Sequence, residues 1–146
     1  MHELSYTKPT ITLAAALRVV EGCVESATSM GKPMSIAVVD SSGLLKAFAD
    51  MDGAPPLAER VARQKAWSAA GWDMPTMDWL KFMGEDPILI EGIPRIPGLT
   101  VLGGGVPIHA AGQLIGAVGV SGSHYTEDEQ VAQAGVAALG NGNVPA

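Results

Sequence analysis

The chain has 146 residues, of which 47% are hydrophobic and 16% are charged. This composition is typical of one folded domain and argues against disorder. A net charge of -6 argues against nucleic-acid binding, because phosphate contacts need clustered Lys and Arg. The sequence has neither a signal-peptide pattern nor an apolar run of about 18 residues. We therefore expect a single cytoplasmic domain over residues 1–146 that binds no membrane.

The first half of the chain has the pattern of a helix, a β-hairpin and a second helix. Apolar residues spaced three and four apart predict a helix over about 12–30. Residues 34–40 and 44–51 predict the two strands of a hairpin. The first strand is apolar on both of its alternating faces, which indicates a sheet that is covered on both sides. Residues 57–71 predict the second helix.

The second half of the chain begins with less regular segments. Residues 74–83 predict a short helix, and the proline-containing residues 84–98 predict a loop. A glycine-rich hairpin follows, and residues 125–140 predict the last helix. Thr126 and Glu129 have the spacing of a capping box at its start. The last six residues predict a frayed tail.

The glycine-rich stretch at residues 100–124 is the most unusual part of the sequence. After a short β-like run, it contains three consecutive glycines, Gly103, Gly104 and Gly105. So many glycines beside a strand indicate positive φ angles or a close approach of backbone to another group. Exposed N–H groups in such a turn can bind an anion. The stretch is either a hairpin against which a helix packs tightly, or a loop that also lines a ligand pocket with Ser121.

Two charged residues stand out as candidates for chemistry. Lys65 falls in the middle of the apolar face of the second helix, where an unpaired ammonium group is costly to bury. It either extends past the edge of the sheet to solvent or pairs with an anionic ligand or a carboxylate. Asp52 follows the second strand, a common position for a working carboxylate. An Asp before a glycine also forms turns, and the turn interpretation is favoured.

The aromatic residues predict either a pocket or buried structure. Trp72, Trp79 and Phe82 lie with several methionines in and beside the short helix. They could form the floor of a pocket for a flat apolar ligand, although a core or interface role is more common. Trp67 lies on the charged face of the second helix. There it predicts an anchor at a subunit interface.

The three histidines and the single cysteine limit the cofactors that the chain can bind. Haem needs an axial ligand such as His, Tyr, Cys or Met. We expect His109 to be a half-exposed strand residue and His124 to cap the last helix or face solvent, more readily than either ligates iron. Cys23 excludes an intrachain disulfide and a cysteine metal cluster, and its place in the first helix predicts a buried thiol. The HExxH zinc motif is absent.

Several segments occur in the order found in one known family. They are SIAVVDSSGLLKAFADMDGA, AERVARQKAWSAA, LGGGVPIHAAGQLIGAVGVSG and DEQVAQAGVAAL. The chain resembles the GlcG/HbpS-like family, also called the haem-degrading or DUF336 domain, over nearly its whole length. One departure is Asp50, which stands where the family often has an Arg before the Met-Asp-Gly-Ala motif.

The resemblance implies an α+β fold and self-association. The expected fold is a profilin-like three-layer α/β/α arrangement with an antiparallel sheet of about five strands, assembled into a homo-oligomer. Members that the chain resembles include haem-binding sensors, a domain attached to corrinoid adenosyltransferases, and proteins encoded with glycolate or aromatic-catabolism enzymes. Fold alone does not decide among these functions.

Three functional hypotheses remain open, and the first is favoured. It is a small-ligand-binding homo-oligomer, with haem or a related tetrapyrrole as a candidate cofactor. Its candidate ligand-binding residues are Gly103, Gly104, Gly105, Ser121 and Trp72. The second is an enzyme that acts on a small hydroxy- or oxo-acid or an aromatic-catabolism intermediate. The third is a non-catalytic scaffold, which the position of Trp67 motivates.

In the enzyme hypothesis, three side chains act together with the glycine loop. Lys65 would hold a carboxylate or polarise a carbonyl, and Asp52 or His124 would move a proton. The amides of Gly103–Gly105 would stabilise developing negative charge.

Overall fold

A computed structural model describes residues 3–140, which form five α-helices and four β-strands. The helices are α1 (Leu13–Ser29), α2 (Pro56–Trp72), α3 (Trp79–Met83), α4 (Pro87–Gly92) and α5 (Tyr125–Ala137). The strands are β1 (Ser35–Asp40), β2 (Leu45–Asp50), β3 (Gly105–Ala110) and β4 (Gln113–Ser121). None of the described helices is long and apolar enough to cross a membrane. The tail expected after residue 140 lies outside the described residues.

The four strands form one antiparallel sheet in the order β2-β1-β4-β3. The central pair is β1 and β4, in which Val38 lies opposite Val118. Each outer strand reaches its neighbour through a tight hairpin. Pro107 is tolerated in β3 because this strand lies at an edge of the sheet, where a missing N–H donor disrupts no second ladder.

The helices cover both faces of the sheet and produce two apolar cores. Ile36 and Val38 of β1 pack with α1 and α5 in the larger core. Ala37 and Val39 point to the other face and pack against the alanines of α2. The prediction that β1 is buried on both faces is confirmed. This three-layer α/β/α arrangement also confirms the expected fold class.

The sheet has four strands, so the expectation of about five is wrong by one. The β-like run before the three glycines forms no strand. Its backbone donors are used by side chains instead: the N–H of Thr100 donates to Ser68 Oγ at 3.0 Å, and the N–H of Leu102 donates to Thr100 Oγ1 at 3.2 Å. Donors that are paired in this way are not available to a neighbouring strand.

The segment between α2 and β3 is more helical than the sequence suggested. The expected short helix consists of a 3-10 turn at Thr76–Asp78 followed by α3. The expected loop at 84–98 contains α4, so that prediction is wrong. Asp86 caps α4 through its side chain, which accepts the N–H of Ile88 at 2.9 Å, and Pro87 occupies the first helical position.

Helices α1 and α5 pack directly against one another through small residues. A Cβ atom at Gly135 of α5 would collide with the Cys23 sulfur and the backbone of α1. The thiol is fully buried, and this burial raises its pKa to about 12. The prediction of a buried thiol is confirmed.

Gly119 of β4 provides a test of how closely α2 approaches the sheet. A Cβ atom there would collide with the carbonyl oxygen of Ala62 in α2. We expect Gly119→Ala to lower the free energy of unfolding by about 2–3 kcal/mol, because rigid backbone would have to move. The measurement is the urea midpoint. A matched control is Gly92→Ala, whose added Cβ meets nothing within 4 Å. Equal midpoints for the two variants would contradict this packing.

Candidate functional site

A cavity of about 420 Å³ lies between the first half of α2 and the start of α5. Its apolar wall is formed by Pro55, Leu57, Ala58, Val61, Leu102 and Tyr125. Its polar groups come from Lys65, Ser121, Ser123, His124 and Asp128. The volume falls within the range of roughly 300–1,000 Å³ that small-molecule sites occupy. An apolar wall with a few convergent polar groups is the usual composition of such a site.

The cavity brings together three of the residues predicted from the sequence. Lys65 extends from α2, Ser121 ends β4, and His124 lies in the turn before α5. Strand β4 leads directly into α5, and α2 covers the sheet at this end. The three residues therefore meet.

Lys65 is the fully buried charged residue at the centre of this arrangement. Its side chain is 1% exposed, so it does not extend to solvent. Its Nζ donates to Asp128 Oδ2 at 2.7 Å and to the carbonyl oxygen of Val120 at 2.9 Å. Asp128 is 2% exposed and also accepts the N–H of Ser123 through Oδ1 at 3.0 Å. Of the two sequence interpretations, the structure selects the carboxylate partner.

The glycine-rich segment makes room for the lysine. A Cβ atom at Gly104 would lie 2.8 Å from the Lys65 Nζ and 2.6 Å from the Val120 carbonyl oxygen. Gly104 also has φ +121°, a backbone conformation that residues other than glycine rarely adopt. The segment therefore allows the ammonium group to reach α5 past the start of β3. This is the close approach of backbone that the three glycines predicted.

The same segment offers little to an anionic ligand. The N–H of Gly104 donates to Glu129, and the N–H of Gly105 donates to Thr76 Oγ1 at 2.8 Å. These amides are already paired, so they do not form the anion-stabilising loop of the enzyme hypothesis. Gly103 lines a neighbouring cavity of about 270 Å³, which shares Leu102 and Tyr125 with the first.

Burial dominates the electrostatics of the ion pair. It raises the pKa of the Asp128 carboxyl and lowers the pKa of the Lys65 ammonium group. The hydrogen bond between the two groups opposes both shifts, since each charge favours the other. Buried pairs of this kind are costly to separate, because removal of one partner leaves an uncompensated charge.

His124 caps α5, as one of the two sequence interpretations of this residue expected. Its Nδ1 accepts the N–H of Thr126 at 3.3 Å, and its ring lies against Tyr125 with centroids 4.3 Å apart. The capping box predicted from Thr126 and Glu129 is wrong, because the capping position is held by His124 and Glu129 bonds the glycine loop instead.

The remaining predicted residues lie elsewhere. Asp52 is exposed in the turn before α2 and does not line the cavity. Asp50, the departure from the family pattern, accepts a hydrogen bond from Ser35 Oγ across the hairpin. His109 is half-buried on β3, and its Nε2 lies 2.7 Å from Asp73 Oδ1. Trp72 lines a separate cavity of about 180 Å³.

Asp128 is the main functional residue that sequence reasoning missed. The signal was present in the periodicity of the last helix, because the buried residues of α5 are Asp128, Val131, Ala132, Gly135 and Val136. An Asp that continues an apolar i, i+3, i+4, i+7 stripe predicts a buried carboxylate that needs a cation. Lys65 supplies that cation.

Comparison with known proteins identifies the family. The model of the family described as haem degrading protein HbpS-like matches residues 11–137. The chain belongs to this HbpS-like family, and the resemblance seen in the sequence motifs is confirmed.

Similarity to individual proteins extends over most of the chain. Protein GlcG of Escherichia coli K12 is 35% identical over 115 residues, which cover 79% of this chain and 84% of GlcG. The crystal structure of the Klebsiella pneumoniae protein ORFY is 28% identical, covers 97% of this chain and 98% of its own, and superposes with a TM-score of 0.90. The crystal structure of a double mutant of Streptomyces reticuli HbpS is 34% identical, with 97% and 94% coverage and a TM-score of 0.86.

The Lys65–Asp128 pair can be tested by a double-mutant cycle. We expect Lys65→Met to lower the free energy of unfolding by about 3–5 kcal/mol, since it leaves a buried carboxylate without its cation. The double variant Lys65→Met/Asp128→Leu should recover most of this loss, because neither charge remains. Urea unfolding of the wild type, both single variants and the double variant measures the coupling. Additive losses would contradict the pairing.

The deficit of Lys65→Met should also depend on pH. Without the ammonium group, burial remains the largest influence on the Asp128 carboxyl and holds its folded pKa above the ordinary value of 3.8, against the smaller opposing effect of the Ser123 N–H. A carboxyl group whose pKa is raised in the folded state costs no stability while it is protonated, which holds below its unfolded pKa. It destabilises the fold as the pH rises through its folded pKa, because the folded state must then bury the charge. The deficit relative to wild type should therefore be smallest near that ordinary value and grow towards neutral pH. A series of urea midpoints across this range measures it, and a deficit that grows as pH falls would contradict the assignment.

Proposed function

We propose that the chain is a small-ligand-binding protein and that its ligand occupies the cavity between α2 and α5. The observation that carries this proposal is a mostly apolar cavity with a fully buried ion pair at its wall. Buried titratable groups beside a cavity are more frequent at functional sites than elsewhere. The geometry supports binding better than catalysis, because the charges of Lys65 and Asp128 are already paired with each other.

Haem is the ligand class that the family description favours, and the cavity supplies two of the features that haem needs. Haem needs an apolar slot and an axial ligand. Leu57, Val61 and Leu102 supply apolar contacts, and His124 supplies an imidazole whose Nε2 makes no hydrogen bond with the described residues. We infer that His124 would hold the iron and that the apolar wall would contact the macrocycle. Bound haem would supply a redox-active iron, while the chain binds and orients the group.

Self-association is the second part of the proposal. β2 is an edge strand, so one of its backbone edges has no partner strand within the described sheet. Leu44, immediately before β2, is 66% exposed, and Leu45 and Phe48 in β2 are 50% and 36% exposed. We call these three residues the β2 surface. An exposed apolar edge of this kind favours pairing with a second copy of the chain.

Haemin titration tests the ligand assignment. We expect one haemin to bind per chain with a shift of the Soret band, and we expect His124→Ala to weaken binding by at least about tenfold, in line with the loss of a strong ligand contact. The matched control is His109→Ala, which removes an imidazole that does not line the cavity. Absorption spectroscopy measures both.

A second variant tests whether the ligand occupies this cavity. Val61→Phe should reduce the cavity volume and weaken haemin binding even with His124 intact. If wild type, His124→Ala and Val61→Phe take up haemin equally, the haem is bound elsewhere and the assignment is wrong. If none binds haemin but small apolar probes bind in a Val61-dependent way, the cavity is a ligand site for another class.

Native mass measurement tests self-association. We expect the wild type to form an oligomer and Phe48→Lys to dissociate it, because a charge on the β2 surface would have to be desolvated. The control is Leu80→Lys on α3, which changes an equally apolar side chain that is 73% exposed. A monomeric wild type would contradict the proposal, as would dissociation by the Leu80 variant alone.

A further inference from the structure

A cavity of about 350 Å³ lies between the β1–β2 hairpin and the charged side of α2. The hairpin forms an apolar wall through Val39, Leu44 and Leu45. The cavity shares no lining residue with the cavity between α2 and α5. A ligand bound here is therefore independent of the ligand in the proposed function.

The opposite wall carries three donor side chains from one face of α2. Arg60, Gln64 and Trp67 line the cavity, and their i, i+4, i+7 spacing places them along one stripe of the helix. Within residues 3–140, no acceptor pairs with the guanidinium group of Arg60, the side-chain amide of Gln64 or the indole N–H of Trp67. These donors are available to a ligand.

The charge of the lining favours an anion. Arg60 and Arg63 are its two ionisable residues, and no carboxylate lines the cavity. Arg63 already has a partner, because its Nε donates to Glu59 Oε1 at 2.9 Å. Only the charge of Arg60 is left without a counter-charge in this group, which matches a ligand with one negative charge. The planar fork of a guanidinium group fits a carboxylate in particular.

Two backbone segments hold the indole of Trp67 beside the cavity. A Cβ atom at Gly43 would lie 2.9 Å from Trp67 Cδ1, and one at Gly98 would lie 3.8 Å from Trp67 Cε3. Both glycines have positive φ angles, +81° and +85°, so the turn of the hairpin and the segment before β3 can approach the ring. The Trp67 side chain is still 41% exposed. It offers a pre-ordered aromatic surface, so a ligand need not pay for ordering it.

We propose that this cavity binds a planar aromatic acid with one carboxylate. Arg60 pairs with the carboxylate, and the ring contacts Trp67 and the apolar wall of the hairpin. A neutral ring lacks the charge that Arg60 can pair with, and a carboxylate without a ring gains no apolar contact. The volume is within the range of roughly 300–1,000 Å³ that small-molecule sites occupy.

The indole N–H signals of the full chain provide a direct measurement at constant ionic strength. Benzoate is the probe, benzamide is its neutral near-isostere, and acetate carries the charge without the ring. We expect benzoate to shift the Trp67 signal, which is identified by its loss in Trp67→Phe. Benzamide and acetate should each bind at least about fivefold more weakly, the effect of one charge-assisted hydrogen bond at an exposed site or of a lost ring contact.

Two variants should move benzoate binding in opposite directions. Arg60→Gln removes the unpaired charge and should weaken binding roughly fivefold, to the level of benzamide. Glu59→Gln releases Arg63 from its partner and should strengthen binding about twofold. The matched control is Arg18→Gln on α1, which changes the net charge equally at an exposed residue outside the cavity. It should bind benzoate as the wild type does.

Three outcomes would overturn the proposal. They are a Trp67 signal that benzoate does not move, equal affinity for benzoate and benzamide, and equal losses in Arg60→Gln and Arg18→Gln, which would indicate a general charge effect.

Two further measurements separate this site from the proposed function. Arg60→Gln should take up haemin as the wild type does, because Arg60 does not line the cavity between α2 and α5. Leu44 and Leu45 also belong to the β2 surface, so benzoate binding is measured in Phe48→Lys as well. We expect that variant to bind benzoate unchanged, since Phe48 does not line the cavity. Loss of binding there would place the site between copies of the chain and contradict a site within one copy.

Discussion

The ion pair between Lys65 and Asp128 is the constraint on which the arrangement of this domain depends. It connects a helix on one face of the sheet to a helix on the other face, past the start of β3. Because both groups are almost fully buried, each is tolerated only while the other is in place. The positions of α2, α5 and the cavity between them are therefore linked by one contact.

Small residues are the second requirement, and they follow from the first. The lysine can pass only because Gly104 has no side chain, and α2 can lie close to β4 only because Gly119 has none. The alanines on the inner face of α2 serve the same purpose. Backbone segments therefore pack closely on this face of the sheet. Aromatic side chains such as Trp72 and Tyr125 line cavities instead.

Sequence patterns predicted most of the fold, because the long helices and β1 bury regular apolar faces. They failed where polar side chains replace backbone partners, as in the run before the glycines and at the start of α5. The prediction of the site was limited in the same way. Lys65 was recognisable from its own helix, but its partner is 63 residues away. No local pattern in the sequence predicts a contact over that separation.

The order of the strands divides the domain into two similar halves. Each half is a local hairpin followed by a helix, β1-β2-α2 and β3-β4-α5, and the halves meet where β1 pairs with β4. The contacts of each hairpin are local, whereas the central pair joins distant parts of the chain, so we expect the hairpins to form before the β1–β4 pair. Docking of the halves completes the sheet and brings the lysine of one half to the aspartate of the other. The connecting segment with α3 and α4 lies outside the sheet, so two fragments divided there would carry complementary surfaces for reassembly.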